Sequence, residues 1–428
     1  MHVLFLSDNF PPETNAPATR LHEHARRWVR QGHRVTVVTC APNFPRGEVF
    51  EGYQNRWLSR EVVDGIEVLR VKTFITANSG FLLRTLDFLS FMVMGVLGGL
   101  LPRRPDLVVA SSPQFFAAVG GWVLSVLRRR PFVFEVRDLW PASIAAVGAM
   151  RESRLLRLLE RVELFLYRRA RRVVTVTRSF REDLVRRGIP AEKIDVVTNG
   201  VDLERYAPGP RDAAVAREFG VDGKLVIGYL GTHGLAHALE SVLDAAEQVR
   251  DLDQVRFLFI GSGAAKESLV TEARRRGLSN VLFGDPQPKR RMPDLWRLCD
   301  IALVHLKDMP VFETVIPSKI FEAMGMGRPV LLAGPDGEAA DIVRSTGCGL
   351  WVPPEDPTAL ARAVRSLAES PAQREALAAS SLASAHGYSR DALAAEMLEC
   401  LDAARSSRQP RRVESRAGAP ALRERQAA

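Results

Sequence analysis

Apolar residues along this chain fall mostly in short uninterrupted runs, and the stretches between them carry helical spacing. Residues 1–7 (MHVLFLS) form the first run, which ends at Ser7, Asp8 and a Pro-rich loop. A helical pattern follows over about 18–31, Gly32 stops it, and residues 34–39 (RVTVVT) are apolar again. Strand, loop, helix, glycine, strand predicts a βαβ unit opening a parallel sheet. Further buried strands are predicted at 106–110, 132–136 and 173–176, with helical patterns between them. The second half repeats the theme, with strands predicted at 225–230, 255–260, 280–283, 301–305, 329–332 and 349–352. Strands this apolar are buried on both faces, as in a sheet covered by helices on each side. The expected architecture is α/β, two Rossmann-like, doubly wound halves facing across a cleft at the carboxyl ends of their strands.

Residues 206–212 (YAPGPRD) are the Pro/Gly-rich gap near the middle, which predicts an N-terminal domain over 1–207 and a C-terminal domain over 208–387. Residues 388–404 read as a final helix expected to pack back on the N-terminal domain. Residues 405–428, rich in Arg, Ser, Pro, Gly and Ala, read as a disordered basic tail. One segment breaks the pattern. Residues 88–101 (FLSFMVMGVLGGLL) carry no charge and are flanked by Arg84, Arg103 and Arg104. Spanning a bilayer takes about 20 residues, so this run is too short to cross one. Two readings stay open: a helix dipping into one leaflet with the arginines at the headgroups, or a helix buried against the sheet.

Composition narrows the class. The chain has 428 residues, 46% hydrophobic and 25% charged, which excludes a disordered, collagen-like or disulfide-scaffold chain. A net charge of +9 raises nucleic acid and membrane as partners. The charge is uneven: +10 over residues 1–207, −6 over 208–404 and +5 over 405–428. Residues 151–187 hold much of the excess on an amphipathic basic stretch without a groove-reading motif, so nucleic acid is not expected. Cys40, Cys299, Cys348 and Cys400 are scattered, as reduced thiols are, and no His or Cys spacing suggests a metal. His22 and His24, two apart on a helix, do not share a face. Asp251 and Asp253 resemble a metal-binding pair but sit before a strand, on the wrong edge of the sheet. No secretory signal is predicted at the N-terminus.

Candidate chemistry gathers in four places. The first βα loop offers Glu13, Asn15 and Arg20 toward the cleft, or else is a solvated loop with Thr19 as a cap. At residues 134–141 a buried strand runs straight into Glu135, Arg137 and Asp138, then Trp140 and Pro141. Ionisable groups at a strand's carboxyl end suggest function, with an Arg–Asp ion pair as the plain alternative. Gly261, Gly263 and Lys266 resemble a glycine-rich phosphate loop. The strongest segment is Pro317-Ser-Lys-Ile-Phe-Glu322, where Ser318 reads as an N-cap and Lys319 and Glu322 share a helix face. A cation in the first turn opposes the helix dipole, and a bound diphosphate would account for it, with Glu322 taking ribose hydroxyls.

Pro11-Pro-Glu13, Pro42-Asn-Phe-Pro45, Arg137-Asp-Leu-Trp-Pro141, Asn199-Gly-Val-Asp202 and Pro317-Ser-Lys-Ile-Phe-Glu322 together carry a resemblance. Up to about Ala404 the chain resembles the retaining GT-B glycosyltransferases of family 4, in the branch of fucosamine-type transferases that build bacterial surface polysaccharides. The resemblance implies that Gly231, Gly261, Gly263, Lys266, Ser318, Lys319 and Glu322 bind a nucleotide-sugar donor, expected to be a UDP-sugar. It also implies that Asn199 and Gly200 lie at the interdomain junction, that the N-terminal domain takes the acceptor, and that no metal or other cofactor is needed. The family's first glutamate falls at Thr314, with Glu313 one residue early; its Gly-Gly is Asn15-Ala16; its histidine near the reacting sugar is Arg137 or Asp138. Retention then points to front-face attack, with Lys319 and Lys266 on the leaving diphosphate and Arg137, Asp138 and Glu13 placing the sugars. The expected acceptor is a polyprenyl-diphosphate-linked saccharide, at the inner face of a bacterial plasma membrane to which the protein is bound peripherally. Two alternatives are a non-hydrolysing UDP-sugar epimerase of the same shape and a non-catalytic scaffold that binds membrane.

Overall fold

The computed structural model describes residues 1–76, 81–112, 114–139 and 154–406. It divides into two compact units, Met1–Thr198 with residues 390–406, and Asn199–Ser389.

The first unit opens as the apolar runs predict, with β1 (His2–Leu6), α1 (Ala16–Arg30) and β2 (Arg34–Cys40). A hairpin follows, β3 (Leu58–Val63) and β4 (Ile66–Val71), turned by Asp64 and Gly65, both at positive φ (48° and 80°). Then come α2 (Phe81–Gly99), β5 (Leu107–Ser111), α3 (Phe115–Arg128) and β6 (Phe132–Val136). The unit continues with α4 (Arg154–Arg169), β7 (Arg172–Thr175), α5 (Arg178–Arg186) and β8 (Ile194–Val196). The sheet order is β3-β4-β2-β1-β5-β6-β7-β8, parallel except for the β3–β4 pair.

The second unit holds α6 (Ala213–Glu218), β9 (Leu225–Leu230), α7 (Glu240–Gln248), β10 (Val255–Ile260), α8 (Lys266–Arg275) and β11 (Val281–Gly284). Next are α9 (Met292–Leu298), β12 (Ile301–His305), α10 (Lys319–Gly325), β13 (Val330–Ala333), α11 (Glu338–Thr346) and β14 (Gly349–Val352). Helices α12 (Pro357–Glu369) and α13 (Pro371–Ala385) close it. Its six parallel strands run β11-β10-β9-β12-β13-β14, the Rossmann order, which reverses direction between β9 and β12. Ile227, Tyr229, Phe257 and Leu303 fill one side of this sheet, and Leu258, Ala302, Trp296 and Phe321 the other.

One expectation needs correction. The division falls at Thr198/Asn199, not at 207/208. Residues 199–207 are already built into the second unit: Val201 N–H donates to the Tyr388 carbonyl at 2.9 Å, and Tyr206 is buried in that core. The Pro/Gly stretch is thus an internal loop. Helix α14 (Arg390–Arg405) folds with the first unit, where the Trp28 indole N–H donates to the Ala394 carbonyl at 2.8 Å. The tail over 407–428 lies outside the described residues.

Residues 88–99 of the uncharged segment lie in α2. Its inner side packs tightly, since a Cβ on Gly99 would sit 2.3 Å from Leu124 and one on Gly98 2.6 Å from Val71. Its outer side leaves Leu83, Leu86, Val93 and Leu97 about half exposed. Among the described residues no helix is long and apolar enough to cross a membrane.

Candidate active site

In a doubly wound sheet, ligands bind outside the carboxyl ends of the strands where the order reverses. In the second unit that point lies between β9 and β12, and the loops leaving β9, β10 and β12 converge on it. The loop after β9 begins at Gly231 (φ +140°), and the loop after β10 contains Gly261 and Gly263 (φ +153° and +155°). These glycines are required by backbone contact. A Cβ on Gly261 would lie 1.8 Å from the Gly231 carbonyl oxygen, and one on Gly263 2.3 Å from that of His233. His233 N–H donates to Ser262 and Ala265 N–H to His233, both at 2.9 Å, so the two loops are locked together.

Lys319 enters this space from the first turn of α10. Its ammonium stands 3.7 Å over the centre of the Tyr229 ring, and a Cβ on Gly231 would come within 3.2 Å of Nζ. Nζ is buried and has no hydrogen-bond partner among the described residues. Desolvation pulls its pKa down to about 7, against a weaker opposing pull from Glu322. Three histidines surround the same ammonium. Burial, with the nearby lysine, brings His233 and His305 to about 4 and lowers His237. Both ring nitrogens of His233 and Nε2 of His305 are buried without partners. His237 and His305 join their loops through hydrogen bonds to each other's carbonyls, at 3.2 and 2.7 Å. An ammonium, uncharged imidazoles and an aromatic face around unoccupied polar atoms suit an anionic, ring-bearing ligand.

Glu322, one turn on from Lys319, accepts from Trp296 Nε1 at 3.1 Å and from the Tyr206 hydroxyl. Ser318 does not cap α10: its own backbone is helical (φ −60°, ψ −25°), which keeps the hydroxyl from the amides an extended cap residue reaches. Lys266 is also differently engaged, for its ammonium is held by the Gly284 carbonyl at 2.9 Å and Asp285 at 2.8 Å. Thr314 bonds back to Val311 and Glu313 is exposed, both within a 3-10 turn over Pro310–Thr314. Asp251 forms a two-pronged pair with Arg365 at 2.7 and 2.8 Å, a surface ion pair.

In the first unit several expected ligand groups are engaged by neighbouring protein groups. Asn15, not Thr19, caps α1, accepting from Ala18 N at 3.0 Å. Arg20 is 1% exposed and spends its guanidinium on Glu135 at 2.8 Å and on the Thr198 and Val197 carbonyls at 2.6 and 2.8 Å. It clamps β6 to the chain leaving β8. Glu13 is 3% exposed and accepts from Asn43 N, Phe44 N and Asn9 Nδ2, tying the first loop to residues 42–45. Arg137 and Asp138 are placed through their backbone, with both N–H groups donating to Ser112 Oγ at 2.7 and 3.1 Å. Asn199 and Gly200 open the second unit, directly after the division. Trp140 and Pro141 lie outside the described residues.

Sequence reasoning missed Tyr229, His233, His237, His305 and Trp296. His233 had a local signal, since Gly231-Thr-His-Gly234 is a glycine-bracketed turn directly after a strand.

Residues 15–200 match the glycosyl transferase 4-like domain family, and residues 224–370 match glycosyl transferases group 1. The chain is 26% identical over 375 residues, covering 85% of it and 91% of the relative, to WcaI of Escherichia coli K12, whose name is that of a colanic acid biosynthesis glycosyl transferase. Its fold is that of Anabaena HepE, solved with UDP (TM-score 0.70, 21% identity, 94% of this chain and 100% of the other) and with UDP-glucose. A Listeria monocytogenes structure named as a UDP-N-acetylglucosamine 2-epimerase has a similar fold (TM-score 0.60, 12% identity, 96% and 98% covered).

Proposed function

We propose that the chain is a GT-B glycosyltransferase that moves a sugar from UDP-sugar to a lipid-linked saccharide in the assembly of a surface polysaccharide, a reading supported by its two glycosyltransferase domain matches and its fold. The observation that carries the donor half is the Lys319 ammonium, buried and unpartnered beside the interlocked glycine loops. A diphosphate supplies the counter-charge that this ammonium lacks, and Tyr229 and the neutral histidines line the same space. UDP is favoured over other nucleotides because HepE, of the same fold, binds UDP and UDP-glucose. The WcaI relative supports polysaccharide synthesis as the setting.

Chemically, Lys319 is the group for charge that develops on the departing phosphate, and it acts in a site where water is scarce. It meets the reaction best when protonated, and a bound diphosphate raises its pKa from about 7. No carboxylate stands at Thr314, so retention by front-face attack, with the leaving phosphate taking the acceptor proton, is the mechanism we favour. Arg137 and Asp138 are the groups of the first unit assigned to the acceptor side. The exposed row Leu83, Leu86, Val93 and Leu97, with Arg84 beside it, suits the headgroup–acyl boundary of an anionic leaflet, which keeps the protein near a lipid-borne acceptor.

A thermal-shift screen of UDP, GDP, ADP and TDP sugars tests the donor assignment: UDP-sugars raise Tm most, and a larger shift with another base replaces it. The epimerase reading has the Listeria fold neighbour in its favour, and it requires conversion of UDP-sugar with no acceptor present.

A further inference from the structure

The first unit buries more positive charge than its carboxylates pair. Helix α1 packs on α14 and brings Arg20, His24 and Arg27 toward it, one helical turn apart. Arg20 is consumed by Glu135 and two carbonyls. Arg27 is consumed by Glu23 at 2.7 Å and Asp391 at 2.6 Å. Two further guanidinium groups are brought in by these pairings: Arg390 immediately precedes Asp391, which Arg27 holds, and Arg137 lies two residues past Glu135, which Arg20 holds. Arg20, Arg27 and Arg137 all act electrostatically on both Arg390 and His24, so the cluster is one body of charge.

Neither Arg137 nor Arg390 makes an ion pair among the described residues. Arg137 Nε, Arg390 Nη1 and His24 Nε2 are buried and have no hydrogen-bond partner among the described residues. The Thr198 hydroxyl, on the residue whose carbonyl Arg20 holds, is likewise unpartnered. His24 is 2% exposed and Arg390 9%, so both lie away from bulk solvent. Three carboxylates act on these guanidinium groups: Glu23 on Arg390, though it is paired by Arg26 and Arg27; Glu135 on Arg137, though it is paired by Arg20; and Asp138, which pulls on Arg137 less than Glu135 does. Burial and the surrounding arginines hold His24 well below its ordinary pKa, leaving a neutral ring that can donate one hydrogen bond. Desolvation brings Arg137 to about 10 and Arg390 to about 9, so both stay charged at neutral pH.

Two guanidinium groups and a neutral imidazole, all with idle buried nitrogens, match the several acceptor oxygens of a phosphate better than a single planar carboxylate. We propose that His24, Arg137 and Arg390 form an oxyanion site within the first unit that binds a phosphate-class group of the acceptor. The acceptor assignment rests on the glycosyltransferase reading, whereas the anion site stands on the cluster alone.

The test titrates inorganic pyrophosphate into the full chain by calorimetry, with the donor site saturated by UDP. Pyrophosphate binds in the presence of UDP, acetate does not, Arg390→Met weakens binding at least tenfold, and Lys319→Met leaves it unchanged. Without ligand, Arg390→Met melts no lower than the parent, because an unpaired buried charge has been removed. A short polyprenyl diphosphate in non-ionic detergent that binds more tightly than pyrophosphate identifies the lipid as the source; equal binding identifies a water-soluble phosphate. Binding by Arg390→Met within twofold of the parent, equal binding of acetate, or no pyrophosphate binding beside UDP overturns the site. If Arg390→Met does not fold, Arg137→Met, at a partly exposed position, gives the same readout. If UDP itself fails to bind, the titration is run on Lys319→Met without UDP, so failure of the donor reading leaves this test intact.

Discussion

Replacing Lys319 by methionine separates a ligand-binding cation from a structural one. In the ligand-free protein the ammonium is buried, unpartnered and 3.7 Å over the Tyr229 ring. Its cation–π contact is worth about 0.5–2 kcal/mol, while the missing hydrogen bonds cost about 1–3 kcal/mol, so the two nearly cancel. Methionine keeps the length and the apolar stem against Tyr229, and ligand-free Tm is expected to stay within about 3 °C of the parent or to rise. The ligand-bound state differs. Hydrogen bonds between charged groups contribute about 1.5–3 kcal/mol, which corresponds to UDP binding roughly 10- to 100-fold more weakly in Lys319→Met. Calorimetric titration of UDP and a thermal melt without ligand read the two quantities separately. A UDP affinity within threefold of the parent, or a large fall in ligand-free Tm with affinity intact, would refute the reasoning and make Lys319 a structural residue.

Further expectations follow from the same geometry. Because the folded Lys319 pKa, about 7, lies below the ordinary 10.5, the ligand-free fold binds fewer protons than the unfolded chain. The stability penalty from this lysine is full below pH 7 and vanishes as pH rises toward 10.5; UDP, which favours the charged form, binds more weakly at pH 9 than at pH 7, and Lys319→Met flattens that slope. Gly261→Ala drives a Cβ to 1.8 Å from the Gly231 carbonyl and should abolish UDP binding, whereas Gly223→Ala, with open space around it, costs only about 1 kcal/mol for its positive φ in a denaturant melt. Arg20→Met strands buried Glu135 and is expected to lower unfolding free energy by about 3–5 kcal/mol. Leu97→Asp, at a position 53% exposed, should weaken flotation with anionic liposomes while Tm stays constant, and unchanged flotation removes the membrane face from the account.

What could be read from the chain follows from how local each signal is. The central strands are contiguous apolar runs buried on both faces, and β6, β9, β10, β12 and β14 lie where periodicity puts them. The β3–β4 hairpin escaped because its edge strand, LSREVV, alternates exposed and half-buried positions and carries two charges, although its Asp-Gly turn marked it. Lys319 was legible because a cation in a first helical turn is out of place for a helix alone. His233, His237 and His305 were not: the last two are 68 residues apart and meet only when the sheet brings β9 beside β12. Arg20, Glu13 and Lys266 show a second limit. Sequence displays a charge near a strand's carboxyl end but not its partner, and here the partners are Glu135, backbone amides and Asp285. Lys319, His24, Arg137 and Arg390 are among the residues whose buried polar atoms lack a partner among the described residues, a property visible only once the chain is folded.

The most direct test of the central claim is UDP release by the purified full chain from UDP-sugar, measured with and without a polyprenyl-diphosphate-linked saccharide. Release that depends on the lipid acceptor, with the sugar found on it in the donor's anomeric configuration and lost in Lys319→Met, is the expected result. Conversion of the UDP-sugar without acceptor, or lipid-dependent release at full rate in Lys319→Met, would contradict it.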